Sequence, residues 1–146
     1  MRWWQASAAS LTIGCAVVAC GAEPSAGTDG DPVVSVPTNS YRDGMMWPAA
    51  ALDGRLSVSS ASGTQCLVLT LDAGHSYSVT WPKGFGARFG RPAELVNAEG
   101  EVIAREGDHL QVGGGFTGRA PDGPCAAPTG EEAFSVGPIS VVAPGG

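Results

Sequence analysis

Short alternating segments, separated by turn residues, constrain the fold of this chain more than any other feature. Apolar residues occupy every second position from Leu67 to Leu71 and again from Tyr77 to Trp81, with the turn signal Asp72-Ala73-Gly74 between the two segments. A period of two is typical of strands that bury one face. The strands that this pattern predicts cover residues 55–59, 65–71, 75–81, 93–97, 101–105, 108–112 and 133–142.

No segment after the N-terminal apolar run has a helical period over three turns. We therefore predict an all-β domain of six or seven short strands, built as a small antiparallel β-barrel or sandwich. An OB-like, partly open barrel is the simplest arrangement for strands of this number and spacing.

The N-terminal segment has the layout of an export signal. One positive charge, on Arg2, precedes an uncharged and largely apolar run from Ala6 to Ala19. That run is shorter than the roughly 20 apolar residues that a membrane-spanning helix needs. We therefore predict a signal peptide over residues 1–19.

The end of this run, Val17-Val18-Ala19-Cys20, resembles the lipobox of bacterial lipoproteins. The resemblance implies that Cys20 carries the lipid, palmitate included, and that cleavage occurs just before it. It also implies that the mature chain is held at the extracytoplasmic side of the cell membrane, where stable anchoring takes more than one acyl chain. Two alternatives remain open: lipidation at Cys15, and an ordinary signal peptide cut at an Ala-x-Ala-like site.

The next segment is poor in residues that can build a core. Between Gly21 and Asn39 the chain is mainly Gly, Pro, Ser, Thr and Asp with a few valines. Such a composition buries too little apolar area to offset the entropy of ordering the chain. We predict a lipidated, disordered linker over residues 20–45 and the β-domain over residues 46–146.

The charge balance narrows the range of partners. Acidic residues outnumber basic ones by 14 to 8, for a net charge of −6. A negative chain lacks the basic field that attracts phosphate backbones, so nucleic acid is not expected as a partner. Lysine occurs once, at Lys83, in a chain rich in Ala, Gly, Pro and Val, which indicates a bacterium with a GC-rich genome.

Two cysteines remain once the N-terminal pair is assigned to the signal and the lipid. Cys66 and Cys125 are an even pair in a chain predicted to enter an oxidising compartment, where disulfides form and persist. We predict a bridge between them, with two unpaired buried thiols as the alternative. Two cysteines alone offer too few ligands for a zinc site.

The stretch between these cysteines resembles a loosely defined group of bacterial secreted and lipoprotein domains of unknown function. It carries the group's features in order, although Ile103 departs from the pattern: Cys66-Leu67, Trp81-Pro82-Lys83-Gly84, Gly100 to Asp108, Gly113-Gly114-Gly115 and Cys125. The resemblance covers less than half of the chain. It implies a small β-domain and says nothing about mechanism.

Several patterns that can carry chemistry lack the context that the chemistry needs. Gly113, Gly115 and Gly118 spell the dinucleotide pattern G-x-G-x-x-G, but no helix can start in the Pro-rich segment that follows. The patterns that could hold a metal are His75 with Asp72, His109 with Asp108, and the soft pair Met45-Met46. Strand-end histidines and methionines beside Trp47 are better explained as surface and packing residues, so we predict no metal and no cofactor.

The sequence also lacks a recognisable set of catalytic residues. No serine lies in a G-x-S-x-G turn, and no cysteine is left over for nucleophilic catalysis. Glu131 and Glu132 are neighbours in sequence, which does not place two carboxylates across a cleft. We therefore assign no catalytic residue.

One connecting segment stands out as a candidate binding loop. It gathers basic and aromatic side chains in an otherwise acidic chain: Trp81, Lys83, Phe85, Arg88, Phe89 and Arg91. Exposed, such residues suit an anionic glycan, a lipid head group or an acidic partner, because rings stack on sugars and arginine forks onto acidic groups. The alternative, which we favour, is that the aromatics cover one end of the barrel and the arginines pair with Glu94, Glu99 or Glu106.

Taken together, these features predict a membrane-tethered extracytoplasmic lipoprotein that serves as a non-enzymatic binding or interaction module of the cell envelope. Its expected contacts are the membrane, through the lipid, and an anionic glycan or an envelope protein. A metal-handling or hydrolytic envelope lipoprotein is the alternative function.

Overall fold

A computed structural model describes residues 30–41, 46, 49–61, 63–117, 123–125 and 132–142. The predicted signal peptide and Cys20 lie outside these residues. The prediction of an all-β domain is confirmed. The strands are β1 (Val34–Ser35), β2 (Ala50–Ala61), β3 (Thr64–Thr70), β4 (Ser76–Thr80), β5 (Gly86–Arg88), β6 (Glu94–Val96), β7 (Val102–Arg105), β8 (His109–Thr117) and β9 (Ala133–Val142).

Five of these strands form a closed barrel in the order β2-β3-β4-β9-β8, with β8 pairing back to β2. All neighbours are antiparallel except β4 and β9, which run parallel from Ser78↔Ala133 to Thr80↔Ser135. Counted along the barrel alone, the order is first, second, third, fifth, fourth, with the third and fifth strands parallel. This is the strand order of the OB fold, so the OB-like arrangement predicted from the sequence is correct.

The other four strands form a second sheet in the order β1-β5-β6-β7, which we call the cap sheet. Three of them lie in the chain between β4 and β8, the third and fourth strands of the barrel. Leu95 and Ala104 of the cap sheet join Leu56 and Leu110 of the barrel in one buried cluster. The cap sheet therefore shares the barrel's hydrophobic core.

The structure has more strands than the six or seven predicted. The two additional ones, β1 and β5, are two and three residues long, which is too short for an alternating pattern to show. The glycine run 113–115, predicted as the start of a loop, instead continues β8. Gly113 pairs with β2, and Gly114 and Gly115 pair with β9, within the wall of the barrel. The dinucleotide pattern therefore has no role as a phosphate loop; Gly118 itself lies outside the described residues.

The predicted linker needs a correction at its C-terminal end. Val34 and Ser35 pair with Ala87 and Gly86 of β5. Farther along, the side-chain amide of Asn39 donates to the carbonyl oxygens of Thr80 (3.2 Å) and Val136 (2.7 Å). The boundary at residue 46 is thus too late, because backbone pairing and a partly buried side-chain amide order a segment whose composition alone predicts disorder.

Alternation along the strands explains the core. Leu56, Leu69, Val79, Leu110, Val112 and Phe134 are at most 2% exposed, and their paired neighbours lie on the same face because partners across a ladder share a face. The period-two segments read from the sequence therefore supply the barrel interior. Trp81 extends the inward face of β4 and is fully buried.

A disulfide fastens the barrel to the connection between β8 and β9. Cys66 and Cys125 are bridged, with a Cα–Cα distance of 5.6 Å, which confirms the predicted pairing. The bridge closes a loop of 59 residues, and cross-links over loops of this length typically stabilise a fold by about 2–4 kcal/mol.

Gly114 and Gly113 give a matched test of the β8–β9 pairing. A Cβ atom on Gly114 would overlap the carbonyl oxygen of Ser135 and lie 2.8 Å from Cε1 of Phe134, whereas a Cβ on Gly113 meets only Pro138 at an ordinary 3.5 Å. We expect Gly114→Ala to lower the free energy of unfolding by about 2–3 kcal/mol, as overpacking does, and Gly113→Ala by less than about 1 kcal/mol. Urea denaturation followed by tryptophan fluorescence measures both; equal losses would contradict the described register.

Candidate functional site

The structure separates the six residues of the candidate binding loop. Trp81 is fully buried in the core, and Phe85 and Phe89 pack partly buried against that core. Residues 86–88 form β5 rather than a loop. Lys83 and Arg91 are exposed, and no ion pair joins either to another residue in the part of the chain that the structure describes.

Arg88 belongs to a buried charge cluster. Its Nη1 lies 3.3 Å from Oε2 of Glu94, and Nε of Arg105 lies 3.1 Å from Oε1 of the same carboxylate. Glu94 is 1% exposed, and it accepts from two cations on neighbouring strands because β5, β6 and β7 set these residues in register, Arg88↔Glu94↔Arg105. The structure thus favours the alternative prediction for Arg88, which named Glu94 among its partners.

Trp81 also serves a structural role through its backbone. Its N–H donates to the carbonyl oxygen of Pro37, and its own carbonyl oxygen accepts from the N–H of Asn39, both at 2.8 Å. Its indole Nε1 is buried without an acceptor among the described residues. An unsatisfied buried donor costs about 1–3 kcal/mol, so the burial of the ring must outweigh that penalty.

One cavity on the described surface is a groove of about 500 Å³, which we call the β1–β3 groove. One wall is the segment 34–37, which contains β1. The opposite wall is the segment 63–67, the turn after β2 and the first residues of β3. Phe89 lines the groove, and Pro124 and Cys125 add to its lining. A volume of this size lies in the range of small-molecule and cofactor sites, roughly 300–1,000 Å³.

The groove is uncharged. Its twelve described lining residues include no Asp, Glu, Lys, Arg or His, in a chain whose net charge is −6. Its polar side chains are Ser35, Thr64 and Gln65, and its apolar surface comes from residues such as Val36, Leu67 and Phe89. This composition suits a neutral ligand better than an anionic one.

The disulfide lies in the lining of the groove. Sγ of Cys66 is 3.9 Å from the carbonyl oxygen of Pro124, and Sγ of Cys125 is 3.9 Å from that of Gln65. Cys66 itself is 3% exposed. The bridge therefore holds two lining segments, 63–67 and 124–125, against each other, and it restricts the shape that the groove can take.

A smaller hollow of about 280 Å³ lies beside Lys83 and is lined by Thr38, Asn39 and Ser40. Lys83 is the one cation among these residues, and its side chain is exposed to water. A single solvated lysine over polar neighbours does not amount to a built anion site.

The metal-ligand patterns stay apart in the fold. No cluster of three or more His, Cys, Asp or Glu side chains occurs among the residues that the structure describes. His109 pairs with Arg55 on one side and Val142 on the other, while the ring of His75 contacts Tyr77 edge-on at 4.6 Å. Met46 is 94% exposed. Met45, Trp47 and Glu131 lie outside the described residues.

A ladder of aromatic rings continues from His75. Tyr77 meets Phe116 at 5.5 Å, and Phe116 meets Phe134 at 5.0 Å, all edge to face. Phe116 is 45% exposed, and the ladder joins strands β4, β8 and β9. Such pairs contribute roughly 0.5–1.5 kcal/mol each beyond their buried area, so the ladder stabilises the barrel wall.

Comparison with protein families, with curated proteins and with solved structures finds no match for this chain. In the described segments no helix has the length and apolar character needed to cross a membrane. The function must therefore be argued from the residues of the chain itself.

Sequence reasoning missed the β1–β3 groove because its walls come from distant parts of the chain. Val34 and Cys125 have no local signal that relates them. Two signals were nevertheless available: the Cys66–Cys125 pair, which joins two of the lining segments, and the run Val33-Val34-Ser35-Val36, which is more apolar than the rest of the predicted linker.

The contrast between Arg88 and Arg91 tests the role of the charge cluster. Arg88→Gln removes one of two cations from the buried Glu94 carboxylate, and we expect it to lower the free energy of unfolding by about 1–3 kcal/mol, as for a hydrogen bond to a charged group. Arg91→Gln is the matched control, with an expected change within about 0.5 kcal/mol, typical of a solvated surface charge. Thermal and urea denaturation provide the measurement; equal stability of the two variants would contradict this assignment.

Proposed function

We propose that this protein is an exported, lipid-anchored, non-enzymatic binding module of the cell envelope, and that its ligand occupies the β1–β3 groove. The observation that carries the proposal is the groove itself: an uncharged cavity of about 500 Å³ on an acidic barrel, with a disulfide in its lining. The described lining of the groove holds no charged side chain and no histidine, and its two cysteines are bridged to each other. Binding is therefore better supported than catalysis.

The disulfide also supports export. Disulfides persist in oxidising compartments and are rare where glutathione keeps thiols reduced. A chain with the leader 1–19 and a lipobox-like Cys20 would enter such a compartment. The two lines of support are independent, because one comes from the N-terminal sequence and the other from the pairing of Cys66 with Cys125.

An uncharged ligand fits this site better than the anionic glycan predicted from the cationic-aromatic loop. Arg88 is committed to Glu94, and Trp81 is buried. Lys83 and Arg91 remain exposed, but neither lines the groove. The partner we propose is therefore a neutral envelope component.

The anchor is tested by Cys20→Ala. Without the thiol that accepts the lipid, we expect the protein to lose all incorporation of radiolabelled palmitate and to leave the membrane fraction or accumulate unprocessed. Cys15→Ala is the matched control, and it should keep labelling, mature mass and membrane association. Full palmitate labelling of the Cys20→Ala protein, or loss of labelling in the Cys15→Ala protein, would contradict the assignment of the lipid to Cys20.

Binding in the groove is tested by photo-crosslinking in living cells. A benzophenone amino acid at Ser35, on the groove wall, should form a defined crosslinked product. The same amino acid at the exposed Asp53 should form no such product. Asp53 lies on β2 about eight residues before that strand ends at Ala61, so roughly 25 Å of strand separates Asp53 from Ala61. If neither position, or both positions equally, yields product, the groove is not the binding site.

A further inference from the structure

The walls of the β1–β3 groove are strand edges. β1 pairs through Val34 and Ser35 with β5, and no described strand pairs with its other edge. β3 pairs with β2 over all seven residues, Thr64 to Thr70, but with β4 only over Val68, Leu69 and Thr70. Within the described chain, the edge of residues 64–67 that faces away from β2 therefore has no strand beside it.

The reason for this gap lies at the end of β4. β4 pairs with β3 only as far as Ser78, and Trp81 forms a parallel bridge with Thr38 instead. β4 therefore does not continue alongside the first four residues of β3. The segment 34–37 and residues 64–67 end up as the two walls of one groove.

Neither wall carries the charges that usually protect an exposed strand edge. Natural edge strands are commonly shielded by lysine, by inward-pointing charges or by covering elements, because unpaired N–H and C=O groups otherwise template further strands. Residues 34–36 and 64–67 include no charged side chain. An edge left uncharged beside a cavity is suited to receive a strand.

We propose that the ligand of the groove is an extended, uncharged polypeptide segment that adds as a strand between β1 and β3. This inference rests on the proposed function, since it names the class of ligand for the same site. Main-chain hydrogen bonds to strand edges supply affinity in this mode of recognition, and alternate side chains supply specificity. Four residues of β3, about 13 Å at strand rise, set the length of the pairing.

The lining indicates which side chains such a strand would carry. Leu67 and Phe89 supply apolar surface to the groove, while Ser35 and Gln65 are polar and exposed. A strand places successive side chains on opposite faces. We therefore expect apolar residues at every second position of the ligand, polar neutral residues between them, and no acidic residue because the protein itself is negative.

Two other neutral ligand classes fit less well. A glycan needs several convergent side-chain donors and acceptors, and the described lining offers Ser35, Thr64 and Gln65 alone. An acyl chain needs a closed apolar cavity, whereas these walls present backbone amides and carbonyls. Unpaired backbone is the feature that a peptide satisfies and that neither other class requires.

The test starts from the full-length protein in detergent and a phage-displayed pool of random heptapeptides. We expect enriched peptides to be uncharged and alternating. The enriched peptide is then synthesised in two forms, one with free amides and one N-methylated at alternate amides, which keeps the side chains but removes strand pairing. N-methylation of the alternate amides that face a strand edge should weaken binding at least tenfold. The unmodified peptide should slow hydrogen exchange at the protein's backbone amides within 34–36 and 64–67.

Matched variants complete the experiment. Ser35→Lys places a charge in the groove wall and should weaken binding of the unmodified peptide at least tenfold with an unchanged melting temperature. Ser59→Lys, the same change at an exposed residue of β2 outside the groove, should bind normally. Three outcomes would each overturn the strand-addition proposal. The first is equal affinity of the free-amide and N-methylated peptides, whichever amides are methylated. The others are slowed hydrogen exchange only in strands other than β1 and β3, and peptide enrichment on the native protein no greater than on Ser35→Lys.

The outcomes separate this inference from the proposed function. A product crosslinked through Ser35 in cells that proves to be a glycan or a lipid would leave the groove as a binding site and overturn the peptide. A product that contains a polypeptide, together with sensitivity to N-methylation, supports both. Absence of any product specific to Ser35 removes the proposed function, whatever the synthetic peptides do.

Discussion

The burial of Trp81 is the interaction on which the rest of this structure depends. Its indole is fully buried in the core that the barrel and the cap sheet share. Its backbone is hydrogen-bonded to Pro37 and Asn39 rather than to β3. Because Trp81 turns toward the N-terminal segment, that segment becomes part of the fold, β4 stops short of the first residues of β3, and the β1–β3 groove remains between them. One buried side chain thus links the closure of the core to the formation of the cavity.

Two of the eight Lys and Arg residues of this acidic chain neutralise a buried charge. Glu94 is held on the central strand of the three that follow β4, and Arg88 and Arg105 approach it from both sides. Removing either arginine would take one of two cationic partners from a carboxylate that is 1% exposed, and such clusters are costly to break even where they add little net stability. The cluster fixes the register of β5, β6 and β7, and β5 in turn positions β1. The wall of the groove is therefore supported by an ion-pair cluster that is not itself part of the groove.

The disulfide holds part of the lining of the groove in place, and the linker relates the groove to the proposed membrane anchor. Cys125 is tied to β3 through Cys66, so the lining contributed by the β8–β9 connection keeps its place. The opposite wall, β1, follows directly after the segment that we propose runs to the membrane anchor. In the proposed arrangement the binding site thus lies at the anchored end of the domain, and a peptide strand bound there would be held near the membrane surface.

The sequence alone predicts the class of the fold, the inward face of most barrel strands and the pairing of Cys66 with Cys125. Each follows from a local or countable property: the period of two, the turn glycines, and an even number of cysteines. It even placed Trp81 on the inward face with Tyr77 and Val79, although its position beside Lys83 and Phe85 also suggested a binding loop. Three further features are seen only in the folded chain: Arg88 pairs with Glu94, Val34 and Ser35 form a strand, and residues 34–37, 63–67 and 124–125 line one groove. The strand β1 and the groove join residues far apart in the chain, and the pairing of Arg88 with Glu94, six residues apart, depends on the register of β5 and β6. The energy of these contacts comes from burial and strand pairing, which no local pattern records.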